Sequence, residues 1–332
     1  MNYIEKAKEL ILKNWGIALV LGTLLLYVLI KSFLPGKEFD WVNLLFGAII
    51  VFEIVYLVII EIKQGVKKSG WKHEIVDTLI AIGVAIAIWF GAQAILSTST
   101  PVSGVVSCSM LSELDRGDFV VVQGGAITVD EVEITEEELG QITNGPFLVE
   151  SREFRYNSTK PFHTFCLCNP GHEACDGFLN SGADFYETSG PLTYHYTWCD
   201  VKYRNGKDEG MMRCVDYIEI NGMKFYPGDE SNDIIVYNSR STDLYSRVGD
   251  IVHRSVLRLK VDDKMYYLTG GDNNPVLDNQ VYECSTGMGN QPVPERNVKG
   301  KVITRIPYLG YLKLFISGFW SEDEQCSWVL ER

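Results

Sequence analysis

Three short stretches of the chain carry residue types that could do chemistry. The first is Ser107-Cys108-Ser109-Met110, followed by Arg116-Gly117-Asp118. The second is Gly249-Asp250-Ile251-Val252-His253-Arg254. The third is Thr269-Gly270-Gly271-Asp272-Asn273-Asn274, with Asp278 six residues after Asp272. A serine hydroxyl is a poor nucleophile at neutral pH; it needs a base within hydrogen-bond reach, and the base needs an orienting group. His253 sits in a strong strand pattern, and two acids, Asp272 and Asp278, follow on the next hairpin arm. The chain order is Ser, His, Asp, although such triads are defined by geometry and not by order. Each stretch also has a plainer reading. A Ser-Met pair at a strand end is a turn beside core, a strand histidine is surface or core, and Gly-Gly-Asp-Asn-Asn is a tight turn.

The elements that must position these residues are strands. Alternating apolar residues predict strands over 102–106 and Phe119–Gln123, with Gly117-Asp118 turning the chain between them. They return over Asp250–Val261 and 264–269, with Asp262-Asp263 as the hairpin turn, and again over Val298–Ile306. Residues 124–245 differ. They are rich in Gly, Asn, Asp, Tyr and Cys, and read as an inserted lobe of loops and short strands stapled by cystines, with a short acidic helix over 131–139. Residues 307–320 are apolar but shorter than a span, and read as a strand end plus a helix at a membrane surface.

The composition divides the 332 residues in two. Residues 1–96 carry 9 Lys, no Arg and 8 acids, a net charge of +1. The remainder carries 21 basic and 35 acidic residues, a net charge of −14. So acidic a domain excludes nucleic-acid binding through a general basic field. Three apolar runs, 15–34, 41–60 and 75–96, each approach the ~20 residues that cross a bilayer as a helix. Seven lysines flank the N-terminus and the second loop, against two in the first loop. The positive-inside rule therefore places the N-terminus in the cytoplasm and everything after Leu96 outside, in a multi-pass cell-membrane protein. All eight cysteines lie in that outer part, as disulfides in an oxidising compartment would, and Asn157-Ser158-Thr159 is a glycosylation sequon there. The expected fold is thus a membrane-anchored α plus mostly-β chain: three transmembrane helices over 1–98, a catalytic β domain formed by 99–123 and 246–332, and the Cys-rich insert at 124–245.

Taken together, the boxes Ser-x-Ser-Met…Arg-Gly-Asp, Gly-Asp-Ile-Val-His-Arg and Gly-Asp-Asn-Asn…Asp resemble type I signal peptidase. The closer resemblance is to its archaeal and endoplasmic-reticulum branch, which uses His where the bacterial branch uses Lys. It covers roughly 100–123 and 247–315, and Val298–Leu312 is similar to that family's last conserved strand. The resemblance implies a signal-peptidase-like β fold and a membrane-bound serine endopeptidase that cleaves signal peptides from preproteins after small residues. It implies Ser109 as nucleophile, His253 as general base, Asp278 as the triad acid and Asp272 as a second, supporting acid. The Ser109 backbone N–H and the Ser107 hydroxyl would form the oxyanion hole, with Met110 beside the substrate. No metal or organic cofactor is implied. The partners would be preprotein signal peptides, the lipid bilayer and the protein-translocation machinery. The bound segment would add as an extended strand, and apolar side chains around Met110 and over 307–320 would dip into lipid. Two positions depart from the pattern: Leu111 follows Met110 where the family commonly has Pro, and a Lys is missing before Gly271-Asp272.

Other residues allow other readings. His163, Cys166, Cys168, His172 and Cys175 have spacings that could ligate zinc, with disulfides as the alternative. Cys108 would be a free thiol or half a cystine, and Cys284 could pair with Cys326. Glu53, inside the second run, is an intramembrane carboxylate that would be packed, protonated or held by a partner. Ala92-Gln93-Ala94, near the end of the third run, looks like a small-x-small cleavage site, with Ala-rich helix packing as the alternative. The rival to an enzyme is a membrane-tethered binding module whose Cys-rich lobe meets a surface partner.

Overall fold

The computed structural model of the chain describes residues 15–33, 40–204, 209–319 and 322–332. The chain divides into two compact units, a helical one ending at Ile95 and taking in Tyr311–Glu322, and a β-rich one formed by Leu96–Gly310 and Asp323–Arg332.

The helical unit contains α1 (Trp15–Phe33), α2 (Asp40–Ser69), α3 (Trp71–Leu96) and a short helix at Tyr311–Ile316. Gly70, at φ +79°, separates α2 from α3; a left-handed glycine ends a helix at little steric cost. Among the described residues, two helices are long and apolar enough to cross a membrane, over Leu45–Lys67 and Trp71–Leu96. Three spans are expected from the sequence, and the first of the three runs falls on α1, which is 19 residues long. Leu34, the end of that expected run, and Trp320, the end of the 307–320 segment, lie outside the described residues.

Within the helical unit, Tyr27 packs on Val42 and Phe46 of α2, and Tyr311 meets it edge-on at 5.7 Å. The Thr23 hydroxyl donates to Glu53 Oε1 at 2.8 Å, which gives the carboxylate inside the second apolar run a partner on the neighbouring helix. No side chain of α3 is buried among the described residues.

The β-rich unit holds two sheets. The first contains β1 (Val102–Gly104), β2 (Phe119–Gln123), β3 (Glu131–Glu133), β10 (Ile234–Asn238), β11 (Asp250–Val261), β12 (Lys264–Gly270), β13 (Val293–Pro294) and β14 (Val298–Ile306). Their order is β1-β2-β14-β10-β11-β12-β13, with β3 parallel to β11. The second contains β4 (Phe147–Glu150), β5 (Arg155–Ser158), β6 (Phe185–Ser189), β7 (Leu192–Tyr203), β8 (Glu209–Ile220) and β9 (Met223–Phe225), in the order β5-β4-β6-β7-β8-β9, with β15 (Trp328–Glu331) on β7. Three helices, α4 (Glu136–Asn144), α5 (Phe162–Cys168) and α6 (Glu173–Asn180), connect the strands.

Strand β11 is buried along nearly its whole length, as a central strand covered on both faces must be. Its hairpin with β12 closes through Asp262-Asp263, where Asp262 takes φ +50°, a conformation Asp tolerates. The acidic stretch 131–139, expected as a helix, forms β3 and then α4. The break falls at Thr135, whose hydroxyl and Glu138 make a capping box. The 124–245 segment supplies β3 and β10 to the first sheet and all of the second except β15. One apolar core joins the two sheets: Val149, Tyr194 and Tyr196 from the second pack in the same cluster as Val256, Leu257 and Leu268 from the first.

All eight cysteines are paired, as Cys108–Cys326, Cys166–Cys175, Cys168–Cys284 and Cys199–Cys214. Cys284 and Cys326 therefore take other partners than each other.

Candidate active site

Ser109 lies on the connection from β1 to β2, and the loop is fixed from three sides. Met110 is a buried plug, packed with Val105, Leu114, Val120, Val236 and Val252. It is held inside the β-rich unit, 1% exposed, and also lines the cleft beside Ser109. The Asn273 backbone N–H donates to the Ser109 carbonyl at 2.8 Å, and its side-chain amide donates to the Cys108 carbonyl at 3.0 Å. The Cys108–Cys326 disulfide ties the residue before Ser109 to the segment that leads into β15. Gly271 is required by space: a Cβ there would overlap the Ser109 carbonyl oxygen.

His253 projects from β11. Its Nε2 lies 2.9 Å from Ser109 Oγ, and its Nδ1 lies 2.8 Å from Asp278 Oδ2. A carboxylate only accepts, so Nδ1 carries the hydrogen and Nε2 is left to accept from the serine hydroxyl. Asp278 opens the 3₁₀ turn Asp278–Gln280 after β12. Its Oδ2 also accepts from Tyr237 Oη at 2.8 Å and from Thr269 Oγ1 at 2.5 Å, while Oδ1 has no hydrogen-bond partner among the described residues. Asp278 and His253 are 3% and 5% exposed, so the pair interacts away from bulk water.

Asp272 goes elsewhere. It binds Arg254 through two bonds, Nε to Oδ1 at 2.8 Å and a terminal nitrogen to Oδ2 at 2.7 Å, and Arg254 also donates to the Asn232 carbonyl. The structure thus brings Asp278, and not Asp272, to His253. The Ser107 hydroxyl lies 3.1 Å from Ser109 Oγ, and both line a cleft of about 210 Å³ with Met110, Ile251 and Val252. In the Arg-Gly-Asp box, Arg116 donates to the Val106 carbonyl and the buried Asp118 accepts from Arg305 and the Asp115 N–H.

Tyr237, Thr269 and Asn273 hold the site, and the sequence alone gives none of them a role. Thr269 and Asn273 sit inside the third box, where their types look like turn chemistry. Tyr237 sits in β10, within the stretch read as an insert; the run Ile234-Ile235-Val236-Tyr237 is the local signal for a strand. The zinc-like spacing is accounted for otherwise. Cys166, Cys168 and Cys175 are in disulfides, and His172 Nδ1 accepts from the Ala174 N–H at the start of α6. Among the described residues no cluster of His, Cys, Asp and Glu could hold a metal ion.

No protein-family profile matches the chain. It is 32% identical over 85 residues to the signal peptidase complex catalytic subunit of Metarhizium acridum, covering 26% of this chain and 44% of that protein. The figures are the same for the subunit of that name from Sclerotinia sclerotiorum. The chain thus spans less than half the length of these relatives. A longer, weaker similarity, 21% over 226 residues, covers 66% of this chain and 85% of an uncharacterized protein of Methanocaldococcus jannaschii. The fungal similarities support a signal-peptidase type of function.

Proposed function

We propose that the protein is a membrane-bound serine endopeptidase that removes signal peptides from preproteins. The observation that carries this reading is the unbroken hydrogen-bond chain Ser109–His253–Asp278 at the edge of a cleft. Ser109 Oγ attacks the scissile carbonyl while His253 Nε2 takes its proton. Asp278 stabilises the imidazolium, and the Ser109 N–H with the Ser107 hydroxyl stabilises the developing oxyanion. His253 then protonates the leaving amine. It next draws a proton from water, which attacks the acyl-enzyme and frees Ser109. Each proton in this scheme is handled by the chain's own groups.

A cleft of about 210 Å³ suits small side chains on an extended substrate. The apolar helices α1, α2 and α3 would anchor the chain in the bilayer, and three crossings would leave the N-terminus cytoplasmic and the β-rich unit outside, beside the translocation machinery that delivers preproteins. The test is cleavage of a model preprotein by the detergent-solubilised chain, wild type beside Ser109→Ala. Cleavage after a small residue by the wild type alone supports the reading; equal cleavage by both overturns it.

A further inference from the structure

The turn that carries Asp278 is itself held by the second sheet. Gln280 is fully buried. Its Oε1 accepts from the Leu277 N–H at 3.1 Å, and its Nε2 donates to Tyr196 Oη at 2.5 Å. Tyr196 Oη donates to Glu187 Oε2 at 2.6 Å, and Glu187 Oε1 accepts from the Phe162 N–H at 3.1 Å. Two further bonds reach the same turn, from Thr164 Oγ1 to the Gln280 carbonyl and from Asn279 Nδ2 to Tyr194 Oη.

The direction of the Tyr196 hydrogen is set. Ionised Glu187 can only accept, so Tyr196 gives it its one hydrogen. The Tyr196 oxygen is then free to accept from the Gln280 amide, which turns the Gln280 oxygen toward the Leu277 N–H. Buried hydrogen bonds of this kind rigidify what they touch, and here they hold the residue two places after Asp278. We propose that Gln280 is a positioning residue for the Ser109–His253–Asp278 relay, with Tyr196 and Glu187 as its anchor in the second sheet. This rests on the peptidase reading. It also gives the 124–245 segment a role in catalysis, that of fixing the triad carboxylate from behind.

The test is a reciprocal swap, read at pH 8, where Glu187, pushed up to about 7 by burial, is ionised. In Gln280→Glu, two buried carboxylates claim the one Tyr196 hydrogen. In Glu187→Gln, one amide oxygen faces two donors, the Phe162 N–H and the Tyr196 O–H. In the double variant E187Q/Q280E the Leu277 and Phe162 N–H groups, the Tyr196 O–H and one hydrogen of the relocated amide each again meet an acceptor, with the Tyr196 hydrogen reversed and the buried charge conserved. Each single variant should lower kcat about ten-fold or more with KM within about two-fold, since a small displacement of a reacting group costs rate more than binding. The double variant should recover to within about three-fold of wild type. Folded single variants that cleave like wild type, or a double variant no better than the singles in folding and kcat, overturn the proposal. Wild type and Ser109→Ala run alongside separate the two failures. Ser109-dependent cleavage without the swap effect removes this inference alone, whereas loss of Ser109 dependence removes the peptidase reading and this inference with it.

Discussion

Asp278→Asn isolates the charge of the triad acid from its shape. Three donors converge on Asp278 Oδ2, from His253, Tyr237 and Thr269, while Oδ1 has no partner among the described residues. In the variant the amide oxygen is therefore drawn to the Oδ2 position and its NH₂ to the other. His253 keeps its Nδ1 hydrogen, and what is lost is the negative charge facing the imidazolium that forms during acylation. At a charge separation of about 4 Å and an effective dielectric of about 20, that attraction is worth about 4 kcal/mol. Converted at about 1.36 kcal/mol per decade, the expected fall in kcat is about 10³-fold. The assay is preprotein cleavage under saturating substrate, with thermal unfolding run in parallel. A fall of less than ten-fold, or an equal fall in Asp272→Asn, would refute the assignment of the relay to Asp278.

Asp272→Asn should instead act on stability: it leaves the buried Arg254 guanidinium without its carboxylate, a loss of about 3–5 kcal/mol read by denaturant unfolding. Replacing both Cys108 and Cys326 by Ser should cost about 2–5 kcal/mol and lower cleavage, because the disulfide closes a separation of 218 residues beside Ser109. Gly271→Ala should displace the Ser109 carbonyl and lower kcat/KM about 10²-fold in a protein that still unfolds cooperatively. The pH dependence of stability should carry two opposed contributions. Burial raises Glu187 to about 7, so the folded state binds the extra proton and this contribution is lost as pH rises from about 4.5 through 7. Burial lowers His163 to about 4, so the unfolded state binds the extra proton and stability is gained from about pH 4 to 6.5. Compared with wild type, Glu187→Gln should therefore show a more positive slope of melting temperature against pH between 5 and 7, and His163→Gln a more negative one.

Much of the site's scaffold is local and legible in the sequence. The hairpin of β11 and β12 is written in two alternating runs around Asp262-Asp263, and Val298–Ile306 in a third. The three boxes hold Ser109, His253 and both acids. Their sorting is not legible from spacing, because the choice between Asp272 and Asp278 depends on Arg254 claiming the former across the hairpin. The 124–245 segment reads as a lobe of its own for a related reason. Its core is shared with residues such as Leu257 and Leu268, farther along the chain, and no local pattern records such contacts. Cysteine connectivity is equally non-local. The membrane region is legible locally: hydropathy marks three apolar runs, and they fall on α1, α2 and α3.

Ser109 and His253 lie 144 residues apart, so the two halves of the relay are made at different times. At a synthesis rate of about 5–20 residues per second, the serine leaves the ribosome roughly 7–30 s before its base does. Throughout that interval the nascent chain carries an inert hydroxyl a short distance beyond its own apolar helices. Under the proposed function, the small-residue stretch Ala92-Gln93-Ala94, which has the look of a cleavage site and lies in α3, thus emerges before its own chain can complete a relay to cut it.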